Sequence, residues 1–155
     1  MSGPTRNELQ AIGRRYVKLT NARDYDGLDE LRTADFVAHV PRDATVSRAE
    51  PMHRDTLNKD LRMIVGAFPD LHSEVEDLIA DADRVVVRNR LSGTHSGNLG
   101  GIAATGHTIA WDTVQILRVA DGKIAEAWFV TDTLALLRQA GAISVLVATV
   151  EPDMA

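Results

Sequence analysis

Apolar residues recur at helical steps along the first part of the chain. Leu9, Ile12, Tyr16 and Leu19 stand three and four apart, one stripe of an amphipathic helix running to about Ala22. Thr5, with Glu8 three residues on, forms a capping-box pattern that marks its start. A short second helix is expected over Asp26 to Leu31. The run Asp35-Phe36-Val37-Ala38-His39-Val40-Pro41 reads as an extended or irregular segment stopped by proline. Leu57, Leu61, Ile64, Val65 and Phe68 predict a third helix that Pro69 ends. Ser47 with Glu50, and Pro51, offer competing starts for it.

Past Pro69 the period shortens to two. Leu71, Val75 and Ile79 suggest a first strand, with poor alternation, and Arg84 to Gly93 reads as a second. Ser96 to Gly106 is a Gly-rich loop. Ile109, Trp111, Thr113, Gln115, Leu117 and Val119 alternate along a third strand, and Lys123 to about Thr131 is a fourth. Asp121-Gly122 between them is a hairpin signal. Thr133 to Ala140 predicts a closing helix with Gly141 at its end. Helices first and an antiparallel meander afterwards make an α+β domain.

If Asp121 and Gly122 are the two turn residues, Ala120 pairs with Lys123 and every later pair keeps that sum. Gln115 then faces Trp128, Thr113 faces Val130 and Trp111 faces Asp132. One face of the hairpin carries Trp111, Thr113, Gln115, Trp128 and Asp132, aromatics mixed with polar groups as in a small-molecule pocket. The other carries Ala110, Val114, Ile116, Ala127 and Phe129, with Asp112 and Arg118. That face suits packing on a helix or a second subunit, although periodicity alone allows the two roles to be exchanged.

Composition narrows the function. The 155 residues are 45% hydrophobic and 25% charged, a folded chain rather than a disordered one. A net charge of -5 argues against nucleic acid as the partner. The chain has no cysteine, which removes thiol catalysis and thiolate metal sites and fits a reducing compartment. No stretch approaches a membrane span and the N-terminus has no apolar signal region, so a cytoplasmic protein away from the membrane is expected.

The chemical candidates are few. His39, His53, His72, His95 and His107 are scattered without metal-ligand spacing, so no metal is expected. The last four residues of Gly101-Ile-Ala-Ala-Thr-Gly106-His107-Thr108 put His where a phosphate loop needs Lys, and the loop leads into a strand. No dinucleotide fingerprint or nucleophile elbow occurs, so no cofactor is expected. Arg88 and Arg90 share one strand face, as an anchor for an acidic substrate or as ordinary exposed residues. Asp132 beside Trp111 and Val130 is placed for proton transfer. It also precedes the last helix, where aspartate is a favoured cap.

The runs Ala67-Phe68-Pro69-Asp70-Leu71-His72, Gly93-Thr94-His95-Ser96-Gly97 and Arg118 to Ile124 resemble motifs of the SnoaL-like polyketide cyclases, within the NTF2-like superfamily. So does Trp128 to Asp132, followed by Leu-Leu-Arg-Gln-Ala-Gly. The resemblance spans about Phe36 to Gly141. It implies a single domain over 1–155, its core about 5–141 and a C-terminal tail over 142–155. The fold implied is a cone, N-terminal helices packed on a curved antiparallel sheet around an apolar cavity. It implies Asp132 as the acid/base residue, with His39 and His95 as catalytic partners on the cavity wall that donate to a developing oxyanion. Trp111, Thr113, Gln115, Trp128, Asn89 and Phe36 become substrate-binding positions. Many relatives carry an aromatic at Asn89, a small residue at Arg90 and an acid at Gln115.

The expectation is a cofactor-independent enzyme closing a ring of a polycyclic or polyketide-like substrate by intramolecular aldol condensation. Epoxide opening or a part in hydroxylation is the variant within the fold, and a non-catalytic binding protein is the alternative outside it. The apolar sheet face predicts a homodimer or higher homo-oligomer.

Overall fold

The computed structural model describes residues 3–40 and 50–144. Pro41, the alternative helix start at Ser47 and all but the first residues of the tail after Gly141 lie outside them. Four helices and five strands follow one another as α1 (Arg6–Ala22), α2 (Tyr25–Leu31), β1 (Arg32–His39), α3 (Arg54–Ala67), β2 (His72–Asp81), β3 (Arg84–Thr94), β4 (Thr108–Ala120), β5 (Lys123–Thr131) and α4 (Thr133–Gln139). The capping box is present: the Thr5 hydroxyl accepts from the Glu8 N–H while the Glu8 carboxylate takes the Thr5 N–H. α3 starts at Arg54, later than either proline or serine signal allowed.

One curved sheet carries the strands in the order β1-β5-β4-β3-β2. It is mixed rather than wholly antiparallel, because the segment read as extended or irregular joins the edge of β5 as a parallel strand. The Asp121-Gly122 turn has φ of 50° and 75°, the left-handed pair that a two-residue hairpin of this hand requires.

The hairpin register differs from the expected one in a way that matters for the site. Ala120↔Lys123 and Val119↔Ile124 pair as calculated, but Arg118 then pairs with Glu126. Ala125 is the extra residue of a β-bulge, and it is buried beside buried Ile124. Every pair beyond it slips by one: Ile116↔Trp128, Gln115↔Phe129, Val114↔Val130, Thr113↔Thr131. Trp128 therefore belongs to the outer face, and Ala127 and Phe129 to the inner one. A second shift in β2 between Val75 and Asp77 turns Ile79 outward, where it is 64% exposed, in place of Leu78.

The inner face of the sheet packs against α1, α3 and α4. Leu9, Val17, Val85, Val87, Leu117 and Ile124 belong to one buried cluster; Phe68, Leu71, Ile109, Trp111 and Leu136 belong to another. Gly13 on α1 permits close approach, since a Cβ there would lie 2.9 Å from a Leu78 methyl and 3.2 Å from one of Val85.

Candidate functional site

A cavity of about 350 Å³ opens between the inner face and the helices. α1 contributes Tyr16, Thr20 and Asn21; α3 contributes Leu57, Asp60, Leu61 and Ile64; α4 contributes Leu136. From the sheet come Ser73, Asn89, Leu91, Trp111, Thr113, Gln115, Phe129 and Thr131, and Arg32 stands at the start of β1. Inward parity explains the set: Asn89 and Leu91 alternate on β3, and Trp111, Thr113 and Gln115 alternate on β4.

The polar side chains on the sheet are joined into a buried ladder across three strands. Asn21 clamps the Ser73 backbone, accepting from its N–H at 2.8 Å and donating to its carbonyl at 2.9 Å. The Asn89 amide donates to the Ser73 hydroxyl. The Thr113 hydroxyl donates to Asn89 Oδ1 at 2.7 Å and accepts from Gln115 Nε2 at 2.8 Å. The ladder ends on Gln115 Oε1, a buried acceptor with no partner among the described residues. A buried amide oxygen left unpaired costs free energy, so Gln115 Oε1 is the point of the wall open to a hydrogen-bond donor. The rest of the wall is apolar. Trp111 is held by Phe68, ring centroids 5.2 Å apart.

Four of the sequence-predicted residues thus meet in the cavity: Asn89, Trp111, Thr113 and Gln115. The others stand elsewhere. Phe36 is buried beneath the Arg32 guanidinium, 5.0 Å from its ring centroid, and is not a lining residue. Trp128 lies on the outer face because of the bulge, stacked on His39 at 5.3 Å and with the Arg84 guanidinium 5.2 Å from its ring centroid. His39 is turned out by strand parity, since Phe36 and Ala38 take the inward positions of β1. Its Nε2 meets Glu126 Oε1 at 2.8 Å, and Arg118 holds the other Glu126 oxygen at 3.0 Å. The hydrogen bond from His39, with Arg118 adding to it, lowers the Glu126 pKa below the usual carboxylate value.

His95 is fully buried behind the cavity wall, its ring on Phe68 at 5.3 Å and Nδ1 against the Thr105 hydroxyl at 3.1 Å. Asp132 is exposed and caps α4, its Oδ1 accepting from the Ala135 N–H at 2.9 Å. It does not line the cavity, although Thr131 and Thr133 on either side of it do. Arg88 pairs with Glu76 and Asp77, and Arg90 with Asp112, all at the outer surface. No three acidic or histidine side chains among the described residues gather as a metal ion would need.

Sequence reasoning missed Tyr16, Arg32, Ser73, Asp60 and Phe129. Phe129 was concealed by the bulge. Tyr16 was already legible as part of an apolar stripe, and only its position over the cavity was hidden. Nothing in the local pattern shows that Arg32 is buried.

A curved sheet with helices closing one face over a small-molecule cavity defines a protein of the SnoaL/NTF2-like fold. The family model of the SnoaL-like polyketide cyclases matches residues 10–140, and the chain belongs to that family. Among solved structures, AclR from Streptomyces galilaeus, provisionally assigned as a hydroxylase, is similar with a TM-score of 0.82. It is 28% identical over 93% of this chain and 87% of its own. IdmH from Streptomyces antibioticus, provisionally assigned as a polyketide cyclase, gives 0.75 at 29% identity, covering 84% of this chain and 96% of its own. A SnoaL-like protein from Jannaschia sp. CCS1 shares the fold at 0.77 and 23% identity, over 93% and 99% of the two chains. No curated protein is similar enough to the chain to count as a match.

Proposed function

We propose that the chain is a cofactor-independent polyketide cyclase acting on a ring-bearing substrate held in this cavity. The observation that carries the reading is the cavity itself, apolar around Trp111, Leu91 and Phe129 with one buried polar ladder ending on an unpaired acceptor. Such a surface binds the flat faces of a carbon skeleton and takes one hydroxyl or N–H at Gln115. In the reaction, a base removes a proton from a carbon between two carbonyls. The resulting enolate carbon bonds to a second carbonyl carbon of the same molecule, and the alkoxide so formed regains a proton. Nothing but a proton is exchanged, so no co-reactant is needed. Holding both reacting carbons of one molecule together supplies much of the acceleration.

Asp132, between two cavity-lining threonines, is the proposed proton carrier. His39 and His95 are not assigned the oxyanion role, because neither ring lines the cavity. The test is turnover of a linear or partly cyclised polyketide: Asp132→Asn is expected to lose about 10²–10⁴-fold. Unchanged turnover in that variant removes Asp132 from the mechanism. A hydroxylation-associated role is the second reading, favoured by the similarity to AclR. Incorporation of labelled oxygen into the product separates the two.

Two further features belong to the same reading. The outer face carries half-buried Val114, Ile116 and Trp128 with Val130 at 60% exposure, and supports a homodimer formed through it. No helix among the described residues is long and apolar enough to cross a membrane, and the cytoplasm is the proposed location.

A further inference from the structure

Arg32 is the anomaly of the cavity. It is 3% exposed, yet a guanidinium carries five N–H donors and keeps its charge at any physiological pH. To the described residues it gives one hydrogen bond, from Nη1 to the neutral Asn58 Oδ1 at 2.8 Å. Asp29 stands 3.6 Å from the same nitrogen, its side chain 35% exposed, and its Oδ1 already takes the Asn58 amide at 3.0 Å. Asp26 and Glu30 border an outer hollow that Arg32 also reaches, but Arg54 and Lys123 share that hollow and oppose them. A buried cation is costly unless it is paired with good geometry. One neutral acceptor, one offset carboxylate and the Phe36 ring beneath it leave donors of the fork without a hydrogen bond to a described residue.

Arg32 lines the cavity as well as the outer hollow, and Tyr16, which lines the cavity too, feels its charge. Burial raises the Tyr16 pKa, outweighing the pull of the Arg32 charge, so the phenol stays a donor. We propose that Arg32 and Tyr16 form a carboxylate-binding subsite, so that the molecule held by the cavity is an otherwise apolar ring compound bearing a free acid. This rests on the reading of the cavity as a site for a ring-bearing small molecule. A carboxylate fits because two parallel N–H bonds match its two oxygens, which an ester or amide cannot reproduce. The chain's net charge of -5 makes the preference local, since the molecule as a whole repels anions.

The probes are 2-naphthoate and its neutral amide, 2-naphthamide, titrated into the full chain by calorimetry near neutral pH. The acid is expected to bind at least tenfold more tightly. Tyr16→Phe is expected to narrow that ratio, and Arg32→Lys, which keeps the charge but loses the fork, to narrow it further while leaving the amide within about twofold. Equal affinity for acid and amide in the native chain overturns the proposal and leaves the cavity reading standing. Binding of neither probe overturns both. An acid preference that persists in Arg32→Lys and Tyr16→Phe alike also overturns it, since the anion is then recognised elsewhere. If Arg32→Lys fails to fold, the native ratio together with Tyr16→Phe still decides.

Discussion

Replacing Thr113 with valine tests whether the buried ladder is held by hydrogen bonds or merely by shape. The two side chains have nearly the same outline, so packing changes little, but the hydroxyl is lost at a point where it both gives and receives. Its donation to Asn89 Oδ1 at 2.7 Å and its acceptance from Gln115 Nε2 at 2.8 Å both disappear. Thr113 is 5% exposed, Asn89 3% and Gln115 6%, so neither orphaned group reaches bulk water directly. Each unsatisfied buried group costs about 1–3 kcal/mol, and two of them give about 2–6 kcal/mol for the variant. The extra methyl of valine offsets at most about 0.8 kcal/mol.

Thr113→Ser is the matched control. It keeps the hydroxyl and loses one methyl, a cost of about 1 kcal/mol. Urea unfolding of the native chain and both variants, followed by fluorescence, gives the three midpoints. The expected order of stability is native, then serine, then valine. A valine variant as stable as the serine one refutes the reasoning, because the ladder then contributes nothing that shape does not. The Asn89 and Gln115 amides would in that case be satisfied by water in the cavity.

Gly97→Ala is expected to destabilise by more than the usual helix or loop glycine, since a Cβ there would collide with the Gly66 carbonyl oxygen in the last turn of α3; a melting temperature within a degree or two of native contradicts this. The lowered Glu126 pKa makes its hydrogen bond with His39 and its ion pair with Arg118 stabilising above the ordinary carboxylate value of 4.5 and lost as pH falls through the lower folded value. The stability gap between the native chain and Glu126→Gln should therefore shrink on acidification, and a gap constant from neutral pH to about pH 3 rules it out. Ile116→Glu, on the outer face, should convert a dimer to monomer in light scattering at micromolar concentration, and a native chain that is already monomeric ends that proposal.

Helices and strands were legible because each rests on local signals: the Thr5–Glu8 box, the stripe from Leu9 to Leu19, the turn at Asp121-Gly122. The register of β5 was not. A hairpin calculation carries the turn outward with constant sums, and one inserted residue at Ala125 reverses every face beyond it. Ala125 carries only a methyl group, so nothing in its side chain marks the bulge. The same limit applies at Glu76, where the slip exposes Ile79. The parallel pairing of β1 was hidden because its partner is more than 80 residues away in sequence, as the contact of His39 with Glu126 shows. For the site, the alternation on β4 set Trp111, Thr113 and Gln115 on one face, and that face lines the cavity together with Asn89 of β3, which the family resemblance had named. Trp128, His39 and His95, whose placement depends on the bulge, on a distant strand or on a loop, stand outside the cavity lining.

The identity of the base is the point at which the family and the geometry pull in different directions. Asp132 is the base that the family resemblance leads one to expect, while its side chain is exposed and engaged as a helix cap. A general base must come within about 2.6–3.2 Å of the proton it removes. Among the described residues, the carboxylate that lines the cavity is Asp60, on α3 one turn from Leu57 and Ile64. Asn is as good a cap as Asp, whereas Ala is not, so two substitutions separate capping from proton transfer at Asp132. Asp132→Ala should lose about 1 kcal/mol of stability, and Asp132→Asn almost none. If both lose turnover, the proton moves at the rim and the cap is a second role of the same side chain. If Asp132→Asn turns over normally while Asp60→Asn is inactive and folded, the chemistry sits on the helix side of the cavity. The polar ladder on the sheet would then face the base across the bound substrate rather than stand beside it.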